Sequence, residues 1–582
     1  MVESEINPWR ETLMRIYNTL HRGVEEFKPL EPGVARMYTC GPTVYRYAHI
    51  GNLRSYLMAD WIKRILINQN MKVIHVKNIT DVGHMRQEQL ERGGDKVILA
   101  ALAEGKSPQE IANYYTKAFH RDEAKLNILP ADHFPRATDH VAEMLEVIGH
   151  LLDQDYAYQS ERNIYFNVEK YQPYGQLSGN TSNELLRGVR VEADPLKRDP
   201  RDFALWKHAE PGRDMKWHSP WGEGFPGWHI ECSAMSNRYL GVNQDIHTGG
   251  IDNIFPHHED EIAQSEAAFG KHYVNYWVHG QHLLADGVKM AKSAGNEFTL
   301  EDLEVRGFDP LAFRYLCLSV KYRNRLNFTF SALKAAQRAL TRLKDRIWTW
   351  SSAPITEGHS DDEVADWQRR FWEAANDDLD LPKALALGWE VASGTLDYQS
   401  KLSLLLEFDR VLGLDLSKAT VNQHLSPEVQ SNLIDRESYR RRCQFDRADN
   451  IRHSLGLQGY HLRDTRAGPM ARSKTSFELQ EERWPTVSSP REVASFLEFQ
   501  PIEEYSVVIP ACNYLEDVQR CVNSVLKWCA NSSPEVIVVD NGSNDGTAEW
   551  LEKLRLTYCK VKVIHCDHQL GDAQAKNIGL KK

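Results

Sequence analysis

Apolar and polar positions divide the chain into a β-rich first part, a helical middle and a short β-rich end. Near the start, an apolar run at 35–40, a helical stretch at 53–68 and a β-rich run at 72–79 follow one another. Strand, helix and strand in this order form a βαβ unit, which places two parallel strands side by side. We therefore predict an α/β domain with a doubly wound parallel sheet and ligands at the strand carboxyl ends.

The α/β pattern is interrupted between about 97 and 217 by helical stretches and polar loops. This composition predicts a subdomain inserted into the α/β domain. The sheet pattern resumes at 228–235 and at 245–247, which we interpret as two further strands. We place the end of the α/β domain near 326, with a lysine-containing loop, Lys289–Ser293, close to that end.

Helical periodicity dominates the region 327–470 and predicts an all-α domain. Its predicted helices span 331–350, 361–376, 382–393, 402–412, 427–442 and 445–455. The prolines and serines of 471–503 indicate a linker. A separate α/β unit is predicted at 504–582, with strands at 505–509, 535–540 and 561–565.

Composition sets broad limits on the partners of the chain. Of its 582 residues, 42% are hydrophobic and 26% are charged, which is ordinary for a globular protein. The net charge of -11 gives no general attraction for nucleic acid. A polyanionic partner would need a local basic surface instead.

The nine cysteines lack the regular spacing of a secreted disulfide framework. The acidic N-terminus does not resemble a signal peptide, and no apolar run has the length of a membrane span. We therefore expect a cytoplasmic protein that has no contact with membranes.

Four scattered residues form a candidate zinc site: Cys40, Cys232, His257 and Glu261. Zinc accepts thiolate, imidazole and carboxylate ligands, and residues four apart share one face of a helix. Taken singly, each cysteine could equally be a small buried apolar residue and the histidine a core residue bonded to a backbone carbonyl.

Two short motifs suit a nucleotide. His49-Ile50-Gly51-Asn52 lies where a strand gives way to a helix, and free backbone N–H groups at such a position favour phosphates. The loop that begins at Lys289 carries two lysines suited to stabilising charge on a leaving pyrophosphate. An ordinary helix start and a solvated charged loop are the alternatives.

Longer motifs carry a resemblance to a known family. They are 38–45 (YTCGPTVY), 78–81 (NITD), 197–200 (KRDP), 202–207 (DFALWK), 226–235 (PGWHIECSAM) and 255–265 (FPHHEDEIAQS). Over roughly 15–470 the chain resembles the class I aminoacyl-tRNA synthetases, and among them the cysteinyl-tRNA synthetases. The resemblance implies a synthetase fold that activates cysteine with ATP and a helical domain that binds tRNA.

The resemblance also implies roles for individual residues. It places one Zn²⁺ per chain on Cys40, Cys232, His257 and Glu261, where the thiol of the substrate cysteine can serve as a further ligand. The implied amino-acid pocket consists of Cys40, Thr80, Trp228, Asp252 and His257. The implied ATP site consists of Thr43, His49, Asn52, Lys289, Lys292 and Ser293, with Mg²⁺ accompanying the nucleotide. His49, Asn52, Lys289 and Lys292 would be the catalytic residues.

Two positions depart from the class pattern. Asn52 replaces a histidine of the general signature, a change that is common in this family. Ala291 replaces the usual serine between the lysines, which removes a hydroxyl group but no charge. We expect a reduced or retuned activation rate.

The resemblance places anticodon contacts at Arg440, Asp449 and Asp464, and these favour tRNA(Cys) as the acceptor. We expect a monomer. A cysteine ligase with a small-molecule acceptor and a tRNA-binding paralogue without activity are the alternatives.

The last unit resembles the start of family 2 glycosyltransferases with a GT-A fold. The resemblance rests on 506–510 (SVVIP), 538–547 (VVDNGSNDGT) and 571–579. It implies that Asp540 would meet a nucleotide sugar. The metal-binding Asp-x-Asp and the catalytic base of that family do not occur within 504–582, so we expect a folded unit without transferase activity.

Overall fold

A computed structural model describes residues 13–82, 105–180, 194–285, 287–290, 297–354, 361–420, 425–465, 468–495, 505–528, 535–543, 545–558 and 560–581. The strands of the α/β region are β1 (Arg15–Asn18), β2 (Gly23–Glu26), β3 (Val34–Thr39), β4 (Lys72–Lys77), β5 (Ala157–Ser160), β6 (Asn163–Phe166), β7 (Phe203–His208), β8 (Trp217–Ser219), β9 (Gly222–Pro226), β10 (Gln244–Gly250), β11 (Val274–Gly280), β12 (Leu283–Ala285), β13 (Val288–Lys289) and β14 (Leu326–Phe328). Its helices are α1 (Ile50–Asn68), α2 (Pro108–Lys125), α3 (Val141–Asp153), α4 (Trp228–Leu240), α5 (Glu259–Phe269), α6 (Leu300–Val305) and α7 (Pro310–Leu318).

A parallel sheet in the order β11–β10–β3–β4 forms the centre of the first domain. Helix α1 packs against it through buried apolar residues that include Leu53, Leu57 and Trp61. These side chains recur at intervals of four residues, which places them on one face of the helix. The sheet and helix confirm the predicted α/β class and bring the strand carboxyl ends to one edge.

The inserted region contains an antiparallel sheet in the order β5–β6–β7–β9–β8, which continues past the predicted boundary near 217 to Pro226. Ile148 of α3, Ile230 of α4 and Ile262 of α5 pack in one apolar core beside this sheet. The predicted strand at 228–235 is wrong, because this segment lies within helix α4. Within 229–234 polar and apolar residues alternate, which is the period of a strand, although all of them are buried in the helix.

The next region consists of α8 (Phe330–Ser351), α9 (Asp361–Asn376), α10 (Leu381–Ser393), α11 (Tyr398–Leu412), α12 (Pro427–Arg441) and α13 (Phe445–Leu457). All six predicted helices are present. An antiparallel hairpin, β15 (Tyr460–Thr465) and β16 (Gly468–Ser473), follows them, so the expectation of a purely helical domain is wrong. The sequence signal for β15 is weak because its last three residues are all polar and none of its residues is fully buried.

The predicted linker contains α14 (Ser476–Arg483) and β17 (Thr486–Val487). The Thr475 hydroxyl accepts from the Glu478 amide at 3.2 Å and the Glu478 carboxylate accepts from the Thr475 amide at 2.8 Å, which forms a capping box at the start of α14. The helix was not predicted because the prolines and serines of the segment were interpreted as marks of a linker.

The last unit has strands β18 (Ser506–Ala511), β19 (Glu535–Asp540) and β20 (Val561–Cys566), with helices α15 (Leu515–Trp528), α16 (Thr547–Thr557) and α17 (Asp572–Leu580). Its parallel sheet has the order β17–β20–β19–β18, so the predicted linker supplies an edge strand. None of the described helices combines the length and apolarity needed to cross a bilayer.

The last unit packs against helix α8. Lys334 Nζ lies 2.7 Å from Asp567 Oδ2 and donates to Thr486 Oγ1 at 2.9 Å. One turn away, the rings of Phe330 and His568 have centroids 4.1 Å apart. The Lys334 and Asp567 side chains are only 9% and 8% exposed, so their pairing offsets part of the loss of water, to which His568 Nδ1, 2.5 Å from Asp567, also contributes.

We predict that Lys334→Ala loosens this contact. Removing one partner of a buried pair costs about 3 kcal/mol, so amide exchange in β17 and β20 should accelerate by roughly 100-fold. Lys344→Ala is the matched control, since Lys344 lies on the same helix and its pair with Asp309 is about one-third exposed. Equal exchange rates in the two variants would contradict a structural role for Lys334.

Candidate active site

The four candidate metal ligands come together from separate elements. Cys40 follows β3, Cys232 lies on α4, His257 lies in a short helical turn at 254–258, and Glu261 lies in the first turn of α5. Their ligand atoms all lie within 4.8 Å of one another. The set is buried apart from the half-buried Cys40, so it forms a preassembled polar cluster at the carboxyl edge of the sheet.

The electrostatics of this cluster favour a cation. His257 Nε2 lies 3.0 Å from Glu261 Oε1, and the Cys40 thiol donates to the same oxygen at 3.7 Å. Burial alone would lower the pKa of His257, but the negative charges of Glu261 and Cys232 raise it to about 10. A site that holds a proton this firmly would also attract a divalent cation, which would displace that proton.

The two cysteine thiols of the cluster have pKa shifts of opposite sign. Burial raises the pKa of the Cys40 thiol, and the neighbouring Cys232 and Glu261 raise it further. The hydrogen bond with Cys40 lowers the pKa of the Cys232 thiol. The donor set of two sulfurs, one imidazole and one carboxylate fits the ligand preferences of zinc.

Three histidines beneath the cluster were missed by the sequence reasoning. His247 Nε2 and His258 Nε2 lie 3.4 and 3.3 Å from Cys40 Sγ, and His258 Nδ1 lies 2.8 Å from His279 Nε2. Burial lowers the pKa of His247 to about 4 and that of His279 to about 3, which keeps both rings neutral at pH 7. Cys40, His247, His258 and Glu261 form a second group that could hold a metal.

A signal for these histidines was available. His279 lies near the carboxyl end of β11 and His247 at the middle of β10, which pairs with β11 in parallel. The predicted ligand His257 is the direct neighbour of His258. Predicting that these histidines lie together would have required knowing that β10 and β11 are neighbours in the sheet.

A cleft of about 350 Å³ opens beside the cluster. The predicted site residues that line it are Cys40, Thr43, His49, Asn52, Trp228, Asp252 and Lys289. Trp228 is 43% exposed, and its ring centroid lies 4.7 Å from that of His257. The cleft thus joins the candidate metal ligands to the predicted nucleotide residues.

The floor of the cleft depends on a close backbone contact. A Cβ atom on Gly41 would lie 1.6 Å from the Asn78 carbonyl oxygen, so only glycine fits. The Gly41 amide donates to Asn78 Oδ1 at 2.7 Å, and Asn78 Nδ2 donates to Thr80 Oγ1 at 3.0 Å. Thr80 is therefore buried behind the Gly41 turn.

His49 and Asn52 begin helix α1. His49 Nδ1 accepts from the Asn52 amide at 3.2 Å, and Asn52 Oδ1 accepts from the His49 amide at 3.3 Å. This reciprocal cap fixes both side chains at a helix N-terminus, where the backbone dipole favours anions. Burial lowers the pKa of His49 and keeps its ring largely neutral near pH 7.

Lys289 reaches across the cleft to Asp252. Its Nζ lies 3.1 Å from both carboxylate oxygens, and His282 Nδ1 lies 3.4 Å from Asp252 Oδ2. The residues predicted for ATP and for the substrate ammonium are therefore paired with each other in this structure. Ala291, Lys292 and Ser293 lie outside the described residues.

The three predicted anticodon residues lie in the second half of the helical region. Arg440 NH1 lies 3.4 Å from Asp464 Oδ2, and Asp464 also pairs with Arg436 and Arg452. Asp449 lies exposed on α13. The structure thus brings Arg440 and Asp464 together, and their role in reading bases stays a prediction.

Comparison with known proteins agrees with this geometry. Residues 26–338 match the family described as tRNA synthetases class I (C) catalytic domain. The fold and the cleft therefore define a class I aminoacyl-tRNA synthetase, which is a ligase. Residues 506–582 match glycosyl transferase family 2.

Similar proteins of known function identify the family within this class. The cysteine–tRNA ligase of Chlorobaculum tepidum is 41% identical over 480 residues, which cover 78% of this chain and 98% of the relative. Cysteine–tRNA ligase 1 of Burkholderia lata is 43% identical over 459 residues, 78% of this chain and 96% of the relative. The chain belongs to the cysteine–tRNA ligase family.

Among solved structures, Mycobacterium tuberculosis methionyl-tRNA synthetase in complex with methionyl-adenylate is more distantly similar. The matched region covers 69% of this chain and 93% of that chain. The TM-score is 0.48 and the identity 16%. The family assignment rests on the sequence relatives.

We predict that Cys232→Ser lowers the zinc content of the purified protein by at least about tenfold, since a hydroxyl is a much poorer zinc ligand than a thiolate. Cys317→Ser is the control, because Cys317 is equally buried but lies on α7 outside the metal-ligand groups. Metal analysis of both proteins after identical loading checks the prediction. Equal zinc in the two variants would exclude Cys232 as a ligand.

Proposed function

We propose that this chain activates L-cysteine with ATP and transfers the cysteinyl group to the 3′ end of tRNA(Cys). The observation that carries the proposal is the cluster of two thiols, one imidazole and one carboxylate at the end of the cleft that His49, Asn52 and Lys289 line. A sulfur-rich cation site beside a nucleotide site suits an amino acid that carries a thiol.

Cys40, Cys232, His257 and Glu261 would hold Zn²⁺, one per chain. Bound there, zinc would supply a Lewis acid that favours the thiolate form of the substrate side chain. Serine has no comparable group, so cysteine could be selected without an editing site. Trp228, which lines the cleft and lies against the ring of His257, would contact the substrate side chain, and Asp252 would receive its ammonium group.

The activation step follows from the placement of charged groups. A carboxylate oxygen of cysteine attacks the α-phosphorus of ATP, and pyrophosphate leaves. Mg²⁺ accompanying the nucleotide would neutralise part of the negative charge. His49 and Asn52 would orient the phosphates at the start of α1, while Lys289, with Lys292 and Ser293, would stabilise the leaving group. Lys289 would have to exchange Asp252 for pyrophosphate, which frees the Asp252 carboxylate for the substrate ammonium.

In the transfer step, a hydroxyl of the terminal ribose attacks the acyl carbon and AMP leaves. Arg440, Asp449 and Asp464 would select tRNA(Cys) through its anticodon. The helical region favours tRNA over a small-molecule acceptor, since it offers a surface far larger than such an acceptor needs. The protein would act as a monomer in the cytoplasm.

The last unit would be a folded part of this enzyme that has no transferase activity of its own. Asp540, which the resemblance assigns to a nucleotide sugar, is buried and accepts from the Ser543 amide, with His565 Nδ1 at 2.7 Å. The His565 ring in turn stacks on Trp484 of the preceding segment at 4.8 Å. The carboxylate therefore already has partners within the chain.

Two assays test the proposal in order. ATP–pyrophosphate exchange by the zinc-loaded protein should depend on cysteine and should be at least about 100-fold weaker with serine. Charging of a tRNA with a GCA anticodon should then exceed charging of the same tRNA with an altered anticodon. Absence of exchange would overturn the ligase proposal, and exchange without charging would favour a small-molecule acceptor.

A further inference from the structure

Three arginines of the helical region have no acidic partner among the described residues. Arg342 and Arg346 lie on α8 and Arg463 lies on β15. In the described part of the chain no carboxylate lies within ion-pair distance of these side chains, and Arg346 donates only to Ser393 Oγ at 3.1 Å. By contrast, Arg369 and Arg370 on neighbouring α9 both pair with carboxylates.

Two of these arginines, Arg342 and Arg346, lie over one aromatic ring. The guanidinium carbons of Arg342 and Arg346 lie 5.8 and 5.3 Å from the ring centroid of Trp389 on α10. Trp389 Nε1 donates to the Tyr315 hydroxyl at 2.7 Å, which fixes the orientation of the ring. We name Arg342, Arg346, Arg463 and Trp389 the arginine–tryptophan patch.

The arginines of the patch lie close enough to repel one another. Burial, Arg463 and Arg342 together lower the pKa of the Arg346 guanidinium. The Lys401 ammonium lies nearby, and burial and Arg346 lower its pKa as well. A protein with a net charge of -11 thus concentrates positive charge at one place, as a polyanionic partner would require.

The patch and the predicted anticodon region share strand β15 but lie on its opposite faces. Arg463 precedes Asp464 on β15, and successive side chains of a strand point to opposite faces. Asp464 faces Arg436, Arg440 and Arg452, so its single negative charge meets three positive ones. Excess positive charge therefore lies on both faces of this strand.

We propose that the arginine–tryptophan patch binds the phosphodiester backbone of the tRNA between its anticodon and its acceptor end. This inference rests on the proposed function, which makes tRNA the polyanionic partner. Guanidinium groups match phosphate oxygens in pairs, and the contact with the indole ring restricts the Arg342 and Arg346 side chains before the RNA arrives. Contacts of this kind position the RNA and carry no sequence information.

The test compares Arg342→Ala/Arg346→Ala with Arg369→Ala/Arg520→Ala. The control removes the same charge from exposed arginines that are already paired with carboxylates. In filter binding, loss of two phosphate contacts should weaken tRNA(Cys) binding by on the order of tenfold and reduce the slope of log K against log salt by about 1.5. Binding of a noncognate tRNA should fall by the same factor.

Charging kinetics separate binding from chemistry. The patch variant should raise KM for tRNA and leave cysteine-dependent ATP–pyrophosphate exchange unchanged, whereas the control should leave both unchanged. Arg342→Lys/Arg346→Lys should restore most of the salt slope, because the charge remains. Equal thermal midpoints of the lysine variant and the wild type would show that the fold tolerates substitution at these positions.

Two results would overturn the proposal: equal tRNA affinity in the patch and control variants, or a loss confined to the cognate tRNA. If the wild type charges tRNA but the patch and control variants have the same tRNA affinity and KM, the patch proposal is wrong and the proposed function stands. A wild type that performs exchange but neither binds nor charges tRNA excludes the proposed acceptor and the patch together.

Discussion

The structure depends on a cluster of buried ionisable groups at the carboxyl edge of a parallel sheet. Cys40, Cys232, His257 and Glu261 come from separate elements, and their ligand atoms lie within 4.8 Å of one another. Burying such groups together is costly unless a cation or a proton balances their charge. The strongly raised pKa of His257 shows that the surroundings already favour one positive charge there. A bound metal would satisfy the same requirement and connect the fold to substrate choice.

Much of the fold could be predicted from local pattern. Helices such as α9 and α12 start and end within a residue of their predicted limits, since their apolar period and proline or acidic starts are strong signals. Helix α4 was taken for a strand because polar and apolar residues alternate within 229–234. Strand β17 is two residues long and depends on a partner 79 positions away, so no local signal could reveal it.

The candidate site shows the same limit. The four candidate ligands could be named from motifs, whereas His247 and His279 reach the cluster only through the alignment of β10 with β11. Likewise, the pairing of Lys289 with Asp252 depends on a turn of the chain that no spacing indicates. In the helical region, the grouping of Arg342, Arg346 and Arg463 without an acidic partner among the described residues depends on the packing of α8, α10 and β15.

The central claim is that the metal cluster selects the amino acid. Calorimetric titration of cysteine into zinc-loaded and metal-stripped protein, with ATP titrated into the same two samples, tests it most directly. We predict that stripping weakens cysteine binding by at least about 100-fold and leaves ATP binding within about twofold, because the two ligands occupy different ends of the cleft. Unchanged cysteine affinity in the stripped protein would contradict the account.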